Sequence, residues 1–329
     1  MARPTRTIAL LNQKGGVGKT TTTVNLAAAI AEAGRRTLLI DLDPQAHATL
    51  HLGVDATAAP ATIYDLLIDE ERSAAEAIVS ARPNLDIVPS VVDLAAAETE
   101  LAGAGERNRI LARRLAQTLP AYEFVLLDCP PSLGLLTLNA LCLAREVFVP
   151  MQAHFLALQG VGKLLETVGL VAKSVNPSLR VTGIVLCQHE PSISHQKEVV
   201  ADLDDFFAQA RGTDVPWSSC RVLRPAIRRN IKLAEAPSFG KTIFDYEPWC
   251  PGAIDYRALA ERVVGEWDAM LAKREGAPST AAPTRSPAAR DGAASPGGSI
   301  AMDASIAASI DAAPSAAARP DRRPVARRA

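Results

Sequence analysis

A glycine-rich turn between a short apolar strand and a helix restricts the fold of this chain more than any other feature. The apolar run at 7–11 predicts a buried strand, and 19–33 predict a helix that stops at Gly34. Between them, 14–21 read KGGVGKTT. Glycines let a backbone turn tightly and approach oxygen atoms closely, and successive N–H groups ahead of a helix form a cradle for anions. The segment therefore predicts a phosphate-binding loop, with an unliganded glycine turn as the alternative.

Other short apolar runs alternate with helical patterns along the chain. Such alternation is typical of the α/β class, with a doubly wound, mostly parallel sheet and helices on both faces. Ligands of these sheets bind beyond the carboxyl ends of the strands. Segments 12–21, 41–45 and 128–132 each follow a predicted strand, so three strand ends point to one site. The later predicted strands are 37–42, 85–88, 124–128, 146–150 and 181–186, and the later helices are 91–102, 107–118, 135–144, 158–174, 194–210 and 253–273.

The end of the chain differs in composition from the rest. From 275 to 329, Ala, Pro, Ser, Gly and Arg dominate, and such a segment cannot bury enough apolar surface to offset the entropy of ordering it. We predict one domain over 1–274 and a disordered tail over 275–329. The 5 cysteines form no CxxC pair, which suits a reducing cytosol. The sequence has no apolar run of about 18 residues, so it predicts no membrane span.

The residue types in the glycine loop suit a nucleoside triphosphate with Mg²⁺. Lys19 can reach the β- and γ-phosphates, and the hydroxyl of Thr20 can ligate Mg²⁺. Main-chain amides of the loop would hold further phosphate oxygens. The predicted ATP contacts within the loop are Lys14, Gly15, Gly16, Val17, Gly18, Lys19, Thr20 and Thr21.

One position of the loop departs from the general phosphate-loop pattern. That pattern has glycine where this chain has Gln13, and Lys14 follows. The sequence KGGVGKT resembles the deviant loop of the ParA, Soj and MinD type ATPases, which have the P-loop NTPase fold. The resemblance implies that Lys14 crosses a dimer interface, contacts phosphates held by the partner subunit and acts with Lys19 in catalysis. The alternative is that Lys14 contacts only phosphates of its own subunit, or solvent.

Two aspartate segments follow predicted strands beside the loop. A carboxylate there can orient the attacking water or hold a metal-bound water. The segment LLIDLDPQ is similar to the family's DxDPQ motif, which implies that Asp43 positions the water in catalysis and that Asp41 supports it. The segment FVLLDCPPS resembles the family's LIDxPPS, which implies that Asp128 binds Mg²⁺ through a water. His47 and His51 are expected to be surface polar residues rather than metal ligands.

The resemblance to ParA and Soj extends over about 5–270. Segment 227–246, IRRNIKLAEAPSFGKTIFDY, resembles a family segment whose asparagine lies near the adenine, which implies that Asn230 contacts the adenine of ATP. The chain departs from the family at 183–194, GIVLCQHEPSIS, and at the insertion-like 208–219. The family's adenine and partner contacts in this half of the chain are therefore less readily assigned to residues of this sequence.

Segment 220–241 is basic, although the net charge of the whole chain is only −1. The only acidic residue in it is Glu235. Lys and Arg bind phosphates without reading base sequence, and a dimer that presents two such patches gains avidity. A solvated face whose arginines make intramolecular salt bridges is the alternative. The predicted contacts to DNA are Arg221, Arg224, Arg228, Arg229 and Lys232.

Together these features predict a cytoplasmic, nucleoid-associated ATPase with ATP and Mg²⁺ as cofactors. The resemblance implies an ATP-dependent homodimer that binds DNA non-specifically, and a ParB-type centromere-binding partner that stimulates slow hydrolysis in chromosome or plasmid partition. An ATPase of the same chemistry that positions a non-chromosomal cargo remains an alternative. A MinD-type regulator at a membrane surface would need a C-terminal amphipathic helix, and the tail has Ala and Pro where bulky apolar residues would be required.

Overall fold

The strands form where short runs of aliphatic residues occur, and they join into a single sheet. The computed structural model describes residues 4–190 and 192–276. Nearly all of the predicted tail, 275–329, lies outside the described residues, so its disorder stays a prediction. Within the described part, the strands are β1 (Arg6–Leu10), β2 (Thr37–Asp41), β3 (Val79–Arg82), β4 (Leu85–Val88), β5 (Phe124–Asp128), β6 (Glu146–Met151), β7 (Arg180–Leu186) and β8 (Arg221–Leu223).

Local signals set the ends of several helices. The first helix ends at Glu32, and Gly34 just beyond it takes a left-handed φ of 80° and donates its N–H to the Ala31 carbonyl. A capping box formed by Thr62 and Asp65 starts the third helix. The α-helices of the described residues are α1 (Lys19–Glu32), α2 (His47–His51), α3 (Ile63–Ile68), α4 (Leu94–Glu100), α5 (Ile110–Leu115), α6 (Leu135–Leu143), α7 (Phe155–Ser174), α8 (Ser194–Ala210), α9 (Lys232–Glu235), α10 (Ile243–Tyr246) and α11 (Pro251–Gly276).

The strand order brings the predicted functional segments together. The sheet runs β3-β4-β2-β5-β1-β6-β7-β8, and only the β3–β4 pairing at one edge is antiparallel. In the parallel register, Leu10 of β1 pairs with Asp128 of β5, which pairs in turn with Asp41 of β2. The three strand ends that precede the glycine loop and the aspartate segments are therefore direct neighbours.

Helices cover both faces of the sheet. Because successive side chains on a strand point to opposite faces, Ile8 packs with α1 and α11 on one face, whereas Ala9 packs against the opposite helix layer. That opposite layer contains α3 to α8. Trp267 of α11 is buried, as expected for a final helix that packs on the core. The predicted doubly wound, mostly parallel α/β fold is confirmed.

The structure also contains elements that the sequence patterns did not predict. The short strands β3 and β8, and the short helices α2, α3, α9 and α10, were not predicted. The predicted helix at 107–118 was too long, because 107–109 form a 3-10 turn and the α-helix covers only Ile110–Leu115. No helix of the described residues is long and apolar enough to span a membrane.

Candidate functional site

The glycine loop connects β1 to α1 in a conformation that glycine favours. Gly16 and Gly18 have φ of 72° and 92°. A Cβ atom on Gly18 would lie 3.2 Å from Cys187 Cβ and 3.3 Å from its Sγ, so a larger residue here would be strained by the positive φ and would crowd Cys187. Gly18 precedes α1 and offers no side chain to the first-turn amides, and that turn has no acidic residue. These amides are therefore available to an anionic ligand.

Polar side chains from neighbouring strand ends hold the loop in place. The Nδ2 of Asn12 donates to the Pro150 carbonyl at 2.7 Å, and its Oδ1 accepts from the Lys14 amide at 2.9 Å. Gln152 after β6 and Gln188 after β7 each donate to the Gly16 carbonyl at 3.2 Å. Sequence reasoning missed these two glutamines. Their position directly after apolar strand runs was the available signal.

Asp128 binds the hydroxyls of two threonines of α1. Its Oδ2 accepts from Thr20 Oγ1 and its Oδ1 from Thr23 Oγ1, each at 2.7 Å. The Asp128 side chain is fully buried, and burial raises its pKa, although the nearby Lys19 and the two hydroxyls act in the opposite direction. Thr20 and Asp128, which were predicted together, thus lie in direct contact.

Asp41 and Asp43 lie beside this pair. Burial, and then the negative charge of Asp128, raise the pKa of Asp41 to about 7. Asp43 lies near the loop lysine, with its Oδ2 3.9 Å from Lys19 Nζ. Asp43 and Asp128 thus lie close to each other and to Lys19, and a bound cation would relieve the repulsion between their negative charges.

The donor set fits Mg²⁺. Hydroxyl and carboxylate oxygens are the ligands that this hard cation prefers, and Thr20 and Asp128 supply one of each. The described residues contain no group of three or more His, Cys, Asp or Glu side chains that could hold a metal ion. His51 is buried rather than on the surface as expected, and burial lowers its pKa to about 4. His47 is exposed as expected and lines the cleft beside Asp43.

Two adjoining clefts surround the loop. The first, of about 420 Å³, is lined by Asp43, Pro131 and every predicted loop contact except Val17, whose side chain is buried in the core. The second, of about 280 Å³, shares Gly18 and Thr21 with the first and is lined by Asn230. The Oδ1 of Asn230 accepts from the Lys232 amide at 2.9 Å. The predicted phosphate contacts and Asn230 thus line two clefts that meet at Gly18 and Thr21.

The predicted DNA contacts do not form a free cationic face. Arg221 of β8 pairs with Glu266 of α11, whereas Arg228 and Arg229 line the second cleft. Each member of the set has an acidic partner, as the salt-bridge alternative stated. The pairs are Arg221–Glu266 at 2.5 Å, Arg224–Asp204 at 2.8 Å, Arg228–Asp255 at 2.8 Å, Arg229–Glu190 at 3.1 Å and Lys232–Glu235 at 2.8 Å.

The parallel sheet, the glycine loop at a helix N-terminus and the Thr20–Asp128 pair define a nucleotide-binding protein of the P-loop class. A family model described as an AAA domain matches residues 5–181. The chain belongs to the family of ParA and Soj chromosome-partitioning ATPases, so the resemblance seen in its motifs is confirmed.

Individual relatives are covered over nearly their full length. The chain is 46% identical over 259 residues to the chromosome-partitioning ATPase Soj of Thermus thermophilus, covering 79% of this chain and 95% of the relative. It is 39% identical over 269 residues to the chromosome partitioning protein ParA of Caulobacter vibrioides, covering 80% and 95%.

Solved structures of similar proteins carry the predicted cofactors. Cobyrinic acid a,c-diamide synthase from Mycobacterium smegmatis with ADP and magnesium is 35% identical with a TM-score of 0.67, covering 81% of this chain and 97% of that chain. The same protein has been solved with an ATP analogue and magnesium. The septum site-determining protein MinD from Pyrococcus horikoshii, with Mg-ADP, is 26% identical with a TM-score of 0.59, covering 79% and 96%.

Proposed function

We propose that this protein hydrolyses ATP slowly, forms an ATP-dependent homodimer and binds DNA non-specifically in chromosome or plasmid partition. The observation that best supports this proposal is the arrangement around the glycine loop, where Lys19 Nζ lies 3.9 Å from Asp43 Oδ2 and Thr20 contacts Asp128. From this arrangement at the strand ends we infer that Lys19 binds phosphate, that Asp43 orients the attacking water and that Thr20 and Asp128 hold a cation.

The roles within the site follow from chemistry and position. Lys19 and the loop amides hold the β- and γ-phosphates, Asp43 orients the attacking water, and Asn230 contacts the adenine from the second cleft. Thr20 would hold Mg²⁺ through its hydroxyl, and Asp128 would hold it through a water. When bound, this ion would offset negative charge that develops on the phosphates.

Lys14 is proposed to act across a dimer interface. It lies exposed at the first cleft, and its main-chain amide is held by Asn12. In the described residues, the Lys14 side chain has no ion-pair partner, unlike Lys19. A lysine whose backbone is held in place and whose ammonium group has no ion-pair partner can contact phosphates held by a second copy.

DNA binding is proposed to use the more exposed cations of the basic segment. The side chains of Arg229 and Arg224 are 73% and 53% exposed. In an exposed ion pair, another anion can readily replace the acidic partner. Phosphates of a DNA backbone can therefore replace Glu190 and Asp204 as their partners. Arg221, Arg228 and Lys232 complete the proposed contact set, with Arg228 held most firmly in place.

The biological setting is proposed from the family. The relatives named above act in chromosome partitioning by name, and we infer a cytoplasmic, nucleoid-associated protein that works with a ParB-type centromere-binding partner. Positioning of a non-chromosomal cargo would use the same chemistry. A ParB-type gene beside this one would favour the partition role.

The test is DNA binding measured with ATP, with ADP and without nucleotide, for the wild type and for Asp43→Ala. We expect ATP alone to support binding, and Asp43→Ala to stay bound because it cannot hydrolyse ATP. The control is Asp202→Ala, which changes an exposed carboxylate of α8 that lines neither cleft. Equal binding in the three nucleotide conditions would contradict the proposed switch.

A further inference from the structure

A closed ring of buried hydrogen bonds lies behind Asp43. It starts at Asp41, whose Oδ1 accepts from the Asp43 amide at 3.2 Å. The other oxygen of Asp41, Oδ2, accepts from the amide and the hydroxyl of Thr49 at 2.9 and 2.8 Å. Asp41 thus ties the backbone of Asp43 to the middle of α2.

Ser90 closes the ring from the end of β4. Its amide donates to Thr49 Oγ1 at 2.9 Å, and its hydroxyl donates to the Asp43 carbonyl at 2.8 Å. The Thr49 hydroxyl therefore donates to Asp41 and accepts from Ser90. Both peptide groups of Asp43, its N–H and its C=O, are held by the same ring.

The ring is shielded from water. Asp41 and Ser90 have no exposed surface, and Thr49 is 1% exposed. Hydrogen bonds in such surroundings hold their geometry more tightly than bonds that water can replace. Asp43 itself faces the cleft, where its Oδ1 accepts from the Gln45 amide at 3.0 Å and its Oδ2 lies near Lys19.

We propose that Thr49 and Ser90 are positioning residues for ATP hydrolysis, because they fix the backbone from which Asp43 presents its carboxylate to the attacking water. This inference rests on the proposed role of Asp43. The competing interpretation is that the ring only fastens α2 to β4. In that case its loss would change stability, or would change nucleotide affinity and turnover alike.

The test uses Thr49→Val, which keeps the shape but removes the hydroxyl, with Thr49→Ser as the conservative variant. Single-turnover ATP hydrolysis and the Kd of a fluorescent ATP analogue are measured for each. We expect Thr49→Val to slow hydrolysis about tenfold or more, because small displacements of a catalytic group are costly. Its Kd should stay within about twofold of the wild type, which separates chemistry from binding. Thr49→Ser should restore most of the rate.

Ser90→Ala provides an independent measurement should Thr49→Val fail to fold. It removes only the bond to the Asp43 carbonyl, and we expect slower hydrolysis with unchanged Kd. A wild-type rate in the folded variants, equal losses in rate and affinity, or no recovery in Thr49→Ser would overturn the proposal.

Asp43→Ala in the same assay separates this inference from the proposed function. Hydrolysis that survives Asp43→Ala would remove the proposed role of Asp43 itself. Hydrolysis that is lost in Asp43→Ala but kept in Thr49→Val and Ser90→Ala would remove only the positioning role.

Discussion

Arg228 and Arg229 are adjacent in sequence, yet the structure predicts different effects of charge reversal at the two positions. Reversal at Arg228 should mainly lower stability, whereas reversal at Arg229 should mainly weaken DNA binding. Arg228 donates from Nε and Nη2 to both carboxylate oxygens of Asp255, and its main-chain amide donates to Oδ2 of the same residue at 2.9 Å. The Asp255 side chain is only 7% exposed. Arg229 contacts Glu190 through one nitrogen, and its side chain is 73% exposed.

The magnitude follows from this difference in burial. Breaking a buried ion pair costs about 3–5 kcal/mol, because the remaining charge is left without compensation. An exposed pair contributes at most about 1 kcal/mol. The Arg228–Asp255 pair has one buried and one half-exposed member, so we expect Arg228→Glu to lower the free energy of unfolding by about 2–3 kcal/mol. We expect Arg229→Glu to change it by less than about 1 kcal/mol.

The assay combines urea unfolding with DNA binding in ATP over a series of salt concentrations. If Arg229 contacts a phosphate, Arg229→Glu should weaken binding to all sequences and reduce the slope of log K against log salt by about one per contact. Arg113→Glu is the matched control, because Arg113 is an exposed cation of α5 that pairs with an exposed acid, Glu70, and lines neither cleft.

Two results would refute this reasoning. Wild-type stability in Arg228→Glu would show that the buried Asp255 carboxylate does not need its ion pair with Arg228 to offset its charge. A salt slope for Arg229→Glu equal to that of Arg113→Glu would remove Arg229 from the DNA contacts. A double reversal at both arginines cannot separate these effects, because it combines a loss of stability with the loss of a DNA contact.

Three further changes test the site itself. Lys19→Ala should abolish ATP binding or turnover, and unchanged activity would show that the phosphates lie elsewhere. Gly18→Ala should destabilise the nucleotide-free protein by about 2 kcal/mol in urea unfolding, because alanine at a left-handed φ is strained and its Cβ would crowd Cys187; Gly15→Ala, where a Cβ has open space, is the control. Burial lowers the pKa of His51 from 6.5 to about 4, so the unfolded state binds the proton first and stability should fall as the pH drops through this window. The His51→Gln variant should lose that part of the pH profile, at most about 3 kcal/mol, and an unchanged profile would contradict the burial effect.

Much of the nucleotide site could be predicted because its parts are local in sequence. The strand, the glycine loop and the following helix lie within one short segment, and the tendency of ligands to bind at strand ends correctly placed Asp43 and Asp128 beside that loop. The central strands were predicted well since each is buried on both faces and reads as a continuous aliphatic run. Strand β8 was missed because it is only three residues long and begins with Arg221 inside a basic stretch.

Contacts that join distant segments could not be predicted in this way. Arg221 pairs with Glu266, and Thr49 binds Ser90, and neither pair leaves a local pattern in the sequence. The basic segment shows the consequence most clearly. Counting charges along 220–241 gives a strongly positive stretch, whereas the fold brings acids from α8 and α11 against Arg224 and Arg228.

The balance of charge at the nucleotide site bears directly on the proposed dimer. Asp43 and Asp128 both lie near one lysine, Lys19, and Asp41 lies behind them, where burial and then the charge of Asp128 raise its pKa. A triphosphate brings further negative charge into the same space. The loop amides and Mg²⁺ would offset part of this charge. Among the described residues, Lys14 and Lys19 are the only lysines or arginines that line the first cleft. A second copy that brings its own Lys14 to these phosphates would add a further positive charge. This contact would last only while the γ-phosphate remains, because the negative charge of that phosphate leaves the site after hydrolysis.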